Sequence, residues 1–173
     1  MQWMNEGKGF YELLSKETLS SIIELRVHPH ISEYCSKIHD YLLSDQHIKD
    51  LTPSESEVLH LHFKRLEDEI TTIFRKESGL LFPCFREQLT NPDECITEAI
   101  VGLIQNSQHK ITVLLMQIRQ LLNNYIPKHW SNEFSECANN LFELEAAVYR
   151  WIHIEQNFLF KDIQPVNTSY AAD

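Results

Sequence analysis

Apolar residues recur in alternating steps of three and four along most of this chain, the period that gathers them on one face of an α-helix. Four long runs keep that phase. The first, from about Pro29 to Ser44, carries Ile31, Cys35, Ile38 and Leu42, with Tyr34 and Tyr41 on one flank. The second carries Leu59, Phe63, Leu66, Ile70 and Ile73 and then meets Glu77. The third begins near Asn91-Pro92-Asp93, ends before Pro127, and carries Val101, Ile104, Gln108, Ile111, Leu115, Ile118 and Leu122. The fourth spans about 131–160 and carries Cys137, Leu141, Leu144, Val148, Trp151, Glu155 and Phe158. Residues 18–27 read as a short helix leading into the first run.

Proline marks the boundaries. Pro29, Pro53, Pro83, Pro92, Pro127 and Pro165 leave long proline-free stretches between them. Thr52, Pro53 and Glu55 spell an N-cap, a first-turn proline and a capping box, so the second run has a defined start. Only four glycines are available for turns. Stripes of this kind with short connections predict an all-α chain: an antiparallel up-down four-helix bundle with a short N-terminal helix. The expected division is an extension at 1–17, the bundle at 18–163 and a frayed tail at 164–173.

Three polar residues fall in the phase of the core: Glu77, Gln108 and Glu155. A buried carboxylate without a partner is costly, so it gains a proton or a cation. Two of them projecting from two helices are the donor set of a di-metal site, because hard oxygens bridge two cations. The alternative is that both sit at helix ends, near Gly79 and Lys161, where the seam opens to water. Nine histidines are many for 173 residues. His28 and His30 flank Pro29, and His28 fits the phase of Ile31 and Cys35 slightly better. His47 lies in the next connection, and His62 on the margin of its helix's apolar face. His60 is expected to face solvent, His109 and His153 to point off the seam, and His39 and His129 to lie on the surface. No glycine-rich phosphate loop, nucleophile elbow or His-Glu-x-x-His occurs, so no catalytic residue is assigned.

The two glutamates stand in the same setting, about eighty positions apart. Ile73-x-x-x-Glu77-x-x-x-Leu81-Phe82-Pro83 and Trp151-x-x-x-Glu155-x-x-x-Leu159-Phe160-Lys161 share the glutamate, the Leu-Phe pair and an apolar residue one turn earlier. With Leu114, Leu115, Ile118 and Arg119 before Pro127, they make the chain from Leu19 to Phe160 resemble the hemerythrin-like domain of the iron-centre repair (di-iron) family. That resemblance implies a four-helix bundle which, in the family, holds two non-haem irons through about five histidines and two glutamates. Family members handle nitric oxide or oxygen, or help restore iron–sulfur centres. Glu77 and Glu155 match the bridging carboxylates, and His28 (or His30) and His47 match two histidine positions. Ile73 and Trp151 replace the histidines before the glutamates, and Gln108 takes a third histidine position. Ile and Trp cannot ligate. The resemblance therefore implies a degenerate site, with no cofactor, or iron where His28, His47, Glu77 and Glu155 are still competent. The leftover carboxylates are expected to be held by His28, His47, Lys49 or Gln108, or to stay protonated.

Charge and cysteines narrow the rest. A net charge of −10 repels nucleic-acid phosphates and anionic membranes. Four scattered cysteines without a Cys-x-x-Cys imply reduced, mostly buried thiols, hence a cytoplasmic setting. Met1–Glu6 is not a basic segment followed by an apolar run, so no secretory signal is expected. Three readings follow: a metal-free binding or regulatory module, with a second copy or another protein as partner; a residual iron protein; or a small-molecule pocket lined by Trp151 and Gln108.

Overall fold

The computed structural model describes residues 8–44, 48–86, 94–127 and 129–163, and their regular structure is all helical. In order come α1 (Lys8–Tyr11), α2 (Lys16–Ile22), a first π-helical turn (Ile23–Val27) and α3 (His28–Ser44). Then follow α4 (Pro53–Lys76), a second π-turn (Glu77–Leu81) and α5 (Phe82–Arg86). Last are α6 (Glu94–Leu121), a 3-10 turn (Asn123–Tyr125), α7 (Asn132–Ile154) and a third π-turn (Glu155–Leu159). Among the described residues there is no strand. The expected start of α6 at Asn91–Asp93, the residue His47 and the tail from 164 lie outside the described residues.

Local chemistry sets where the helices begin and end. The Thr52 hydroxyl accepts from the Glu55 N–H at 3.3 Å while the Thr52 N–H donates to the Glu55 carboxylate at 2.8 Å, completing the capping box. At the head of α7 the Ser131 hydroxyl accepts from the Phe134 N–H at 3.2 Å. The same residue donates through its N–H and hydroxyl to the Asp50 carboxylate, at 2.7 and 2.6 Å, which pins the connection before α4 to the start of α7. After α6 the chain turns through left-handed backbone at Asn123, Asn124 and Tyr125, with φ of 49°, 59° and 60°. Asparagine tolerates that region better than most residues. Tyr125 does so while its ring meets Phe142 edge-on at 5.9 Å.

The core is one continuous cluster shared by α3, α4, α6 and α7. α4 packs most extensively along α6, and α3 along α7. The apolar residues expected in the seams of α3, α4 and α6 are all buried. In the last run the phase slips: Phe158 is only half-buried, while Leu159 and Phe160 are in the core. His60 corrects a second expectation. It does not face solvent; its Nδ1 lies 2.6 Å from the Ser56 carbonyl oxygen and its Nε2 2.9 Å from that of Leu42, joining α4 to the last turn of α3. Among the described residues no helix is long and apolar enough to cross a membrane.

Candidate functional site: a buried acid pair beside three wide turns

Three polar residues of the centre sit at the edge of a π-turn. His28 follows the first, and Glu77 and Glu155 open the second and third. A π-turn closes its hydrogen bonds from i to i+5 and so holds one more residue than an α-turn. The Phe160 N–H donates to the Glu155 carbonyl at 2.8 Å. The N–H groups of His28 and Phe82 do the same to Ile23 and Glu77. In an α-helix, residue i+5 swings away from i; the wider turn brings it back beneath. Hence Glu77, Leu81 and Phe82 are buried together, as are Glu155, Leu159 and Phe160, and Ile23, Val27 and His28. The repeated Leu-Phe pair after each glutamate is the sequence trace of this geometry. The first π-turn leaves the same spacing without the motif.

The side chains then meet in the core. His28 Nε2 lies 2.7 Å from Glu77 Oε2. Gln108 Nε2 donates to Glu155 Oε2 at 2.6 Å, and Gln156 Nε2 donates to Gln108 Oε1 at 3.1 Å. Glu77 and Glu155 are both fully buried, at 0% exposure, which rules out the reading that they reach water at helix ends. Glu77 Oε1 and Glu155 Oε1 receive no N–H or O–H from another residue, although the two side chains are close enough to hydrogen-bond each other. The missing donor is a proton on the pair. One proton satisfies both of these oxygens: Glu77 donates to Glu155, and the His28 Nε2–H donates to the other oxygen of Glu77.

Burial dictates that arrangement. Desolvation, reinforced by the charge of Glu155, holds the Glu77 carboxyl well above the usual carboxylate range. Burial raises Glu155 as well, to about 8, with hydrogen bonds from Glu77, Trp151 and Gln108 opposing the rise. Burial also pushes His28 down to about 4, partly offset by the charge of Glu24. A 2.7 Å contact between an imidazole and a carboxyl could be an ion pair in water. Here both partners are buried and the neutral forms prevail.

Ile73 and Trp151 sit one turn before the two glutamates, both at 0% exposure. The Trp151 ring meets Phe74 edge-on at 5.2 Å and His28 edge-on at 6.2 Å. Phe74 stacks on His28 at 3.8 Å, a partner that no spacing argument singled out. The Trp151 indole N–H lies near enough to Glu155 to help hold its pKa down, but outside hydrogen-bond geometry. Around the centre, Arg86 and Glu24 form an ion pair that ties α5 to the first π-turn.

The expected ligands separate on inspection. His28, Glu77, Gln108 and Glu155 come together. His30 is only half-buried and lies edge-on to Tyr34 at 5.0 Å. Lys49 is exposed and holds neither glutamate, and His109 and His153 are exposed as expected. His47 lies outside the described residues. Among those described, no three His, Cys, Asp or Glu side chains are arranged to hold a metal ion. One imidazole and two carboxyls beside an indole and an isoleucine do not fit a di-iron centre, which needs more nitrogen donors than these. The chain matches no family model, no curated protein and no solved structure.

Proposed function

We propose that this chain is a hemerythrin-like protein, an antiparallel up-down four-helix bundle, in which a shared proton has taken over the role of the irons. In this reading it is a non-enzymatic binding or regulatory module of the cytoplasm. The observation that carries it is the buried pair Glu77 and Glu155, flanked by Ile73 and Trp151 at 0% exposure. Two carboxyls facing each other in a core are hard to account for by packing alone. They are the remainder expected when cations leave a bridged site and hydrocarbon and indole fill the space of two imidazoles. Support for the bundle comes from the pairing of α4 with α6 and of α3 with α7, and from His60 joining the end of α3 to the start of α4.

One observation favours a second reading. His28 lies against Glu77, and Glu155 is close to Glu77, so these side chains would need to rearrange around a single residual iron to become its ligands, His47 being the fourth that the sequence suggests. That reading keeps a role in nitric oxide or oxygen response, or in iron–sulfur repair. The two are separated by expressing the chain in iron-supplemented medium and measuring bound metal and the optical spectrum. The metal-free reading expects well under one iron per chain and no visible band. It also expects the double variant Ile73→His/Trp151→His to bind substantially more iron than the parent. Two irons per parent chain would overturn it. A folded double variant without iron would show that these positions do not correspond to ligand histidines.

A further inference from the structure

A second feature lies on the outer side of α4 and α6 and is independent of the acid pair. It is a groove of about 670 Å³, within the range of small-molecule sites. α4 contributes Arg65, Thr72 and Lys76, and α6 contributes Ser107, His109 and Lys110. Val113 and Leu114 add an apolar stretch.

The charges of the groove are uneven. Its two carboxylates already have partners: Asp68 accepts from Lys64 at 3.0 Å, and Glu69 from Lys110 at 3.3 Å. Arg65 and Lys76 have no carboxylate partner among the described residues. The molecule as a whole carries −10, so two unpaired cations at one depression stand out against its field. Ser107, only 5% exposed, also lines the groove.

We propose that this groove binds a small organic anion bearing at least two acidic groups. Arg65 and Lys76 are separated along α4 by roughly 16 Å of backbone, at 1.5 Å per residue, and both carry long side chains, so a compact ligand with acidic groups at its two ends can meet both cations. Lys110 lies between them, and Thr72 and Ser107 supply hydroxyl donors. Long polyanions such as nucleic acid are repelled by the rest of the surface, and the volume suits a compact ligand. Phosphoryl and carboxyl groups share the chemistry that these donors recognise.

The test is a titration of the whole ¹⁵N-labelled chain at constant ionic strength, with pyrophosphate in one series and citrate in another. Saturable amide shifts confined to 65–76 and 107–114 are expected with at least one probe. Pyrophosphate alone would assign a phosphoryl ligand, and citrate alone a carboxylate. Arg65→Ser and Lys76→Ser should each weaken that binding roughly tenfold, the loss of one charge-assisted contact. Lys37→Ser, on α3, should leave it unchanged. The proposal fails if neither probe saturates, if the shifts scatter over lysines elsewhere, or if both groove variants bind as the parent does.

Discussion

Glu155 shows how burial converts into a measurable pH dependence. Its folded pKa of about 8 lies above the unfolded value of 4.5, and Glu77 is shifted the same way. Their contribution to stability is therefore complete below the unfolded value and is lost as pH rises through the folded one. His28 runs the opposite way. Its folded value of about 4 lies below the unfolded 6.5, so its contribution is present above 6.5 and is lost as pH falls through 4. Between about pH 6.5 and 8 the glutamates act without opposition from His28. Urea midpoints of the parent should fall across that window, and Glu155→Gln should flatten the fall. An identical slope in parent and variant would mean that Glu155 does not hold its proton. At this scale much was readable beforehand: Glu77, Gln108 and Glu155 sit in apolar phase, and phase implies burial. What phase could not decide was the choice between water, cation and proton. That depends on whether the opposite helix brings a second carboxyl within reach.

The elements divide into those with local signals and those without. α4 begins where Thr52, Pro53 and Glu55 say it should, because a capping box is satisfied within four residues. Thr52→Ala should lower unfolding free energy by about 1 kcal/mol in urea denaturation. The π-turns are different. A helical period reads residues in threes and fours, so the wide turns enter only as a slip, seen when Leu159 and Phe160 replace Phe158 in the core. Gly79 lies inside the second π-turn; a Cβ added there would meet nothing within 4 Å, and its φ is not positive. Gly79→Ala should therefore raise stability by about 0.5–1 kcal/mol, by restricting the unfolded chain. A loss instead would indicate that the turn needs glycine's freedom, for which its geometry gives no reason.

Over the whole molecule, polar ties between distant segments hold the helices in register. Arg119 on α6 grips Glu145 on α7 with both carboxylate oxygens, at 2.6 and 3.2 Å. Glu145 is 2% exposed. Arg119→Leu should leave that carboxylate buried without its cation. The expected cost is about 1–3 kcal/mol, less than for a fully enclosed pair because the Arg119 side chain is 44% exposed. Thermal and urea unfolding of the variant check it, and a neutral result would mean water already serves Glu145. Neither this pair nor the Asp50–Ser131 clasp has a sequence signal, since the partners are 26 and 81 positions apart.

The sequence alone determined the helices, their buried faces and the three polar positions within them, because those follow from periodicity and capping between near neighbours. The twin motif also singled out Ile73 and Trp151, the apolar residues one turn before each glutamate. Only the tertiary structure decided that the two glutamates and His28 share one enclosed space, that π-turns aim them there, and that the groove between α4 and α6 gathers unpaired cations. Those outcomes depend on which helix lies against which. The free energies that select such pairings belong to contacts between distant residues, and no local pattern encodes them.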